Sequence, residues 1–246
     1  MWIKICGITR PDDAVTAVAA GANAIGLNFF SGSKRCVSIE TAQRITLAVR
    51  TAAEANSWGR LSACHPVAGQ RQTESLPHQI VGVFVKSEPD HILDTAEAVG
   101  LSAVQFHGEE SVADIAKVHA GAPHLNLIRA QRISSDRRQK CFDHVRDLQS
   151  HVELFAVLLD AFVPGEFGGT GVTADSRLIA EYGTQNLPRL ILAGGLTPEN
   201  IAAAITACQP WGIDTASGVE TSPGIKSPEK IRRFIMEAGR ASEDAL

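Results

Sequence analysis

Residues 188–220 read PRLILAGGLTPENIAAAITACQPWGIDTASGVE, and this stretch decides the fold. An apolar run, Pro188–Ala193, ends in Gly194-Gly195. A helix-period segment, Pro198–Ala207, follows, and a second apolar run, Gly212–Ala216, ends in Ser217-Gly218. Strands that stay apolar without polar alternation belong to a parallel sheet covered by helices, and strand, loop, helix, strand is the unit that builds one. Thr197-Pro198-Glu199 places a capping hydroxyl before a first-turn proline.

The same rhythm extends in both directions. Six earlier runs read as strands: Trp2–Cys6, Ala24–Asn28, Ile80–Val85, Leu101–His107, His124–Ala130 and Leu154–Asp160. Helix-period segments include Asp12–Ala20, Ile39–Ala55, His91–Val99, Ser134–Gln149 and Pro228–Ala238, the last opened by Ser227-Pro228-Glu229. Eight strands alternating with helices over 246 residues predict an α/β chain folded as a single (β/α)8 barrel spanning 1–246. The first strand is not followed by G-x-G-x-x-G, which speaks against a doubly wound dinucleotide fold. Residues 56–79 break the rhythm: polar and helix-poor, they read as an insertion between helix 2 and strand 3, on the face opposite the functional one. Cys64-His65 within it looks like a metal fragment, but no matching pair exists elsewhere, and it is read as decoration.

Composition excludes several classes. Lysine and arginine total 23 against 27 acidic residues, a net charge of −4, so nothing is available to neutralise a nucleic-acid backbone. Five cysteines without a CxxC pair argue against a disulfide framework and for a reducing compartment. The most apolar stretch, Ala14–Phe30, is broken by Gly21, Asn23 and Gly26 and is no membrane span. Strand-like sequence from Trp2 onward leaves no room for a targeting segment. The expectation is a cytoplasmic globular protein acting on a small molecule, as a monomer or homodimer, without nucleic acid or membrane as partner.

In such a barrel, function gathers where strands end and βα loops begin. The polar residues there are Cys6, Asn28, His107, Asp160, Gly194-Gly195 and Asp214, with Arg35 and Gln105 close by. Cys6 is either a small buried hydrophobe or, at a strand end before Gly7, a thiolate able to take a proton from carbon if its pKa falls toward neutrality. Lys4 shares its strand face, needs an acidic partner in Asp214 or Asp160, and favours the thiolate. Asp160, a lone acid ending an apolar strand, suits either a loop cap and partner for Lys4 or a proton donor facing that base. The glycines at 165, 168, 169 and 171 suit a mobile cover or plain loop filler. Gly194, Gly195, Ser217 and Gly218 follow the two strands from which barrels build phosphate sites out of backbone N–H groups. Arg35 is a solvated base or a fork for a carboxylate. Gln105 and His107 share a face; the histidine orients a hydroxyl or is simply satisfied in place.

Taken together, Lys4-Ile5-Cys6-Gly7-Ile8-Thr9, Ser33-Lys34-Arg35, Val81–Val85, Val104–Gly108, Leu159-Asp160, Gly168–Gly171, Leu192–Asn200 and Asp214–Glu220 resemble the phosphoribosylanthranilate isomerase family, from residue 3 to about 238. The resemblance implies an Amadori rearrangement in tryptophan biosynthesis on a phosphorylated substrate, with neither metal nor organic cofactor. It implies Asp160 as general acid on the ribose ring oxygen, Cys6 as general base at C2, and Arg35 on the anthranilate carboxylate. Asp214 would then lie at the sugar end and the glycine loops at the phosphate. The sequence departs from the family at Cys36, where an aromatic is usual, at Val172 and Ala174, and at Ala216, where serine is common. A histidine-pathway isomerase would favour aspartate at position 6; indole-glycerol-phosphate synthase would want a longer N-terminus and a lysine acid. A non-catalytic scaffold would have no need of the Cys6–Asp160 pair.

Overall fold

Eight parallel strands pair in chain order and close on themselves in the computed structural model, which describes residues 1–58, 78–132, 138–160 and 176–244. They are β1 (Trp2–Ile5), β2 (Ala24–Asn28), β3 (Gln79–Phe84), β4 (Ala103–Phe106), β5 (Asn126–Arg132), β6 (Ala156–Asp160), β7 (Leu190–Ala193) and β8 (Gly212–Thr215). Closure is made by β1 against β8, where Lys4 sits in register with Asp214. Between the strands run α1 (Pro11–Ala20), α2 (Ile39–Trp58), α3 (Pro89–Val99), α4 (Val112–Gly121), α5 (Arg138–Gln149), α6 (Ser176–Thr184) and α7 (Ile201–Cys208). A short hairpin, β9 (Glu220–Ser222) with β10 (Ile225–Lys226), precedes α8 (Pro228–Asp244).

Strand alternation splits the apolar residues into two layers. Ile3, Ile5, Ile25, Leu27, Val104, Leu159 and Ile213 point outward into the core shared with the helices. Trp2, Val81, Ala103, Ile128, Leu158 and Ile191 fill the barrel itself. At the N-terminal ends of the strands an aromatic floor shuts the barrel. Trp2 stacks on Trp211 at 5.6 Å, Phe155 meets both edge-on, and the Arg189 guanidinium lies 4.9 Å from the Trp211 ring.

All eight expected strands are present, and several differ at their ends. β1 stops at Ile5, leaving Cys6 just beyond it, and β5 runs on to Arg132. Helix α7 begins at Ile201 rather than Pro198, because Thr197–Asn200 form a turn closed by their own side chains. The Asn200 Oδ1 accepts the Thr197 N–H at 2.8 Å, and the Thr197 hydroxyl accepts the Glu199 N–H at 3.2 Å. Ser227 caps α8 as expected, accepting the Lys230 N–H at 3.2 Å, and the helix continues past Ala238. Helices α4 and α6 were not singled out from the sequence. For α4 the signal is a capping serine with an acid three residues on: Ser111 accepts the Asp114 N–H and donates its hydroxyl to the Asp114 carboxylate. Helix α2 extends to Trp58 and β3 begins at Gln79, so 56–58 and 79, expected in the insertion, belong to regular elements. The insertion's Cys64-His65, the glycine-rich loop after β6, and Val172 and Ala174 lie outside the described residues.

Candidate active site

The C-terminal ends of the strands surround a cavity of about 870 Å³. It is lined by Cys6, Arg35, Gln105, His107, Asp160, Gly194, Gly195, Asp214 and Ser217, candidates that the sequence offers from six separate stretches. Gly218 does not line it. Its Cα is pressed beneath the Leu196 carbonyl oxygen, where a Cβ would collide, so this glycine serves close packing of two loops.

Cys6 follows β1, its N–H bound to the Thr215 carbonyl at 2.8 Å. Space for its sulfur comes from Gly26 on the neighbouring strand: a Cβ there would lie 2.7 Å from the Cys6 Sγ and 3.0 Å from the Lys4 Cε. Lys4, fully buried one residue-pair below, donates to the Asp214 Oδ1 at 2.9 Å, which settles its partner as Asp214 rather than Asp160. Burial opposes the Lys4 charge, but Asp214 and the Cys6 sulfur outweigh it and hold the ammonium above its ordinary pKa. The sequence leaves the direction of the thiol shift open, and the structure gives it. Burial pushes the Cys6 pKa up, Asp214 adds to the rise, and Lys4 and Lys226 pull it only part of the way back. A neighbouring cation was legible in the sequence; the depth at which the thiol sits was not.

Across the mouth, Asp160 ends β6 with its side chain about a quarter exposed. The His107 Nε2 lies 4.0 Å from its Oδ2, and the Gln105 Nε2 lies 2.8 Å from the His107 Nδ1. An amide N–H donating to Nδ1 leaves the proton of a neutral imidazole on Nε2, the nitrogen that faces Asp160. Gln105 is buried, and its Oε1 has no partner among the described residues.

The glycine loops are held as one unit. Gly194 and Gly195 take φ of 93° and 63°, conformations that side chains resist. The Thr215 hydroxyl donates to the Leu196 carbonyl at 2.7 Å, tying the loop after β7 to the end of β8, and the Asn200 amide donates to the Gly195 carbonyl at 3.0 Å.

Sequence reasoning missed the surroundings of Arg35. Its Nε and Nη2 each donate at 2.7 Å to the two carboxylate oxygens of Glu220. Lys226, whose side chain is fully enclosed, donates to the same Glu220 at 2.8 Å and to the Ala216 carbonyl at 2.9 Å. Burial raises the Glu220 carboxyl, but the bonds from Arg35 and Lys226 prevail and hold it below its ordinary value. For Lys226 burial prevails over Glu220, and the ammonium is held below the usual lysine value. Glu220 stood in a quoted motif, yet nothing in the local pattern pairs it with a residue 185 positions away. Cys36 is exposed, and Phe30 lines the cavity as an exposed aromatic.

Among the described residues no cluster of three or more His, Cys, Asp or Glu could hold a metal ion, and no helix is long and apolar enough to cross a membrane.

Comparison with known proteins agrees with this geometry. A family model described as N-(5'phosphoribosyl)anthranilate (PRA) isomerase matches residues 62–237. The N-(5'-phosphoribosyl)anthranilate isomerase of Roseiflexus castenholzii is 42% identical over 242 residues, 98% of this chain and 100% of that one. The crystal structure of the Thermotoga maritima enzyme superposes with a TM-score of 0.75 at 34% identity, covering 98% of this chain and 99% of its own. A phosphoribosyl anthranilate isomerase in complex with reduced 1-(o-carboxyphenylamino)-1-deoxyribulose 5-phosphate gives 0.73 and 34% with the same coverage.

Proposed function

The chain belongs to the N-(5'-phosphoribosyl)anthranilate isomerase family, and on that premise we propose that Cys6 and Asp160 are the base and acid of its Amadori rearrangement in tryptophan biosynthesis. The substrate is an aminoaldose closed into a ring, the product the corresponding aminoketose. Asp160 donates a proton to the ribose ring oxygen. The C1–O bond breaks as the nitrogen lone pair forms a C1=N bond, and the ring opens. The Cys6 thiolate then takes the proton from C2. The C–H electrons form C1=C2, the C=N pair returns to nitrogen, and the resulting enolamine tautomerises to the ketone.

The observation that carries this reading is that Cys6 and Asp160, from strands on different sides of one barrel, line a single cavity together with Arg35 and both glycine loops. One bound sugar can therefore meet an acid and a base without changing place. Arg35 presents a guanidinium to the ring carboxylate, and the loops after β7 and β8 offer backbone N–H groups to the phosphate. Asp214, fixed by Lys4, lines the cavity beside Thr215 and serves the sugar end. Phe30 offers an aromatic wall that Cys36 does not.

The test is turnover of N-(5-phosphoribosyl)anthranilate, followed by fluorescence, in Cys6→Ala and Asp160→Asn. Each is expected to lose about 10²–10⁴-fold in kcat, with circular dichroism and melting unchanged. Neither variant should restore growth to a tryptophan-requiring strain. Full turnover in either removes that residue from the mechanism.

A further inference from the structure

Glu220 opens the short hairpin after β8 and carries one of the most crowded carboxylates in the molecule. It receives both N–H groups of one edge of Arg35, the Lys226 ammonium, and the Gly224 N–H at 3.2 Å, with only 5% of its side chain exposed. Three of these donors converge on Oε1 and one takes Oε2, so both oxygens are engaged. Arg35 cannot leave without exposing a buried anion to two lost charge-assisted bonds. The stem of Arg35 is fixed as well. It lies across Gly7, at φ 68°, where a Cβ would collide with the Arg35 Cδ. Two constraints from opposite ends of the chain thus orient one guanidinium at the cavity wall.

We propose that Glu220 is the specificity-determining positioning residue of this site: by occupying the Nε–Nη2 edge of Arg35, it turns the remaining edge to the aryl carboxylate of the substrate. This deepens the reading in which Arg35 receives that carboxylate. Three of the five N–H groups of the guanidinium remain for a ligand, and two parallel ones match a planar carboxylate. Lys226 completes the device. Arg35, Glu220 and Lys226 together keep one net positive charge, so an incoming anion meets attraction although a carboxylate already sits behind the arginine. The substrate's carboxylate is recognised by a fork whose direction is set before binding, at no cost in arginine rotamer freedom.

The experiment compares kcat/KM for N-(5-phosphoribosyl)anthranilate with that for the analogue built on aniline, which has no carboxylate. The wild-type enzyme should prefer the former by about 10²-fold. In Arg35→Met the preference should vanish. In Glu220→Gln it should fall about tenfold, while the aniline analogue is turned over within about threefold of wild type, per folded molecule. Glu220→Asp keeps the charge beside Lys226, withdraws the fork by one methylene, and should lie between the two; it serves if the glutamine variant fails to fold. A merely structural role for Glu220 lowers both substrates together and leaves their ratio at the wild-type value. That unchanged ratio in both Glu220 variants, with Arg35→Met defective, overturns the inference. A full preference in Arg35→Met overturns instead the carboxylate reading beneath it.

Discussion

The two ends of the barrel interior are built on opposite principles. The floor is Trp2, Phe155 and Trp211 stacked edge and face, with Arg189 laid over the outside. Its groups ask little of each other beyond contact. The mouth, two strand residues above, holds Lys4 against Asp214, and Arg35 and Lys226 against Glu220, all partly or wholly withdrawn from water. Burying charge that way is no gain in stability over a well-packed apolar core. The floor therefore supplies the stability and the mouth the chemistry, and substitutions at the two ends should fail in different currencies.

The largest effect expected is at the mouth, where Cys6→Ala and Asp160→Asn lose up to about 10⁴-fold in turnover while thermal melting stays put. A melting change as large as the activity loss would erase the contrast. Next comes Trp2→Ala at the floor, which should cost about 3–5 kcal/mol in denaturant unfolding, with kcat per folded molecule unchanged. Lys4→Met joins the two behaviours. It strands Asp214 inside the barrel, at a cost of about 3–5 kcal/mol, and also removes a cation that favours the thiolate. Because burial holds the Cys6 thiol above its ordinary value, its titration, followed by the ultraviolet absorbance of the thiolate, should fall in the alkaline range. Lys4→Met should move that titration higher still; a titration that stays in place would show that Lys4 acts on Asp214 alone. The smallest effect is Arg189→Ala, which removes a cation–π contact at the exposed rim of the floor and should cost about 0.5–1 kcal/mol with no change in rate.

The sequence showed the strands because each is buried on both faces and so reads as an unbroken apolar run. It showed the candidate site because polar residues at the ends of such runs stand out: Asp160 after Val157-Leu158-Leu159, Cys6 after Ile5. Arg35 was legible as a cation near the mouth, but its clamp was not. Glu220 and Lys226 lie on a hairpin with no periodic signature, and their partner comes from the other end of the chain. The direction of the thiol shift stays open in the sequence for a related reason. Lys4 can be seen two residues from Cys6, whereas desolvation depends on everything packed around the sulfur, including the bare Cα of Gly26 on the next strand. Thr197-Pro198 reads as a cap three residues ahead of α7, and the side chains of Asn200 and Thr197 close those residues into a separate turn.

That bare Cα has a consequence for how this barrel can change over time. With 2.7 Å between a would-be methyl group and the Cys6 sulfur, positions 6 and 26 form a single heritable unit. Alanine at 26 would also press on the Lys4 Cε at 3.0 Å and the Cys6 Cα at 3.1 Å, so losing the thiol relieves the tightest contact alone; in a combinatorial library the two sites should still show epistasis, although they are distant in sequence and only one of them carries a reactive group.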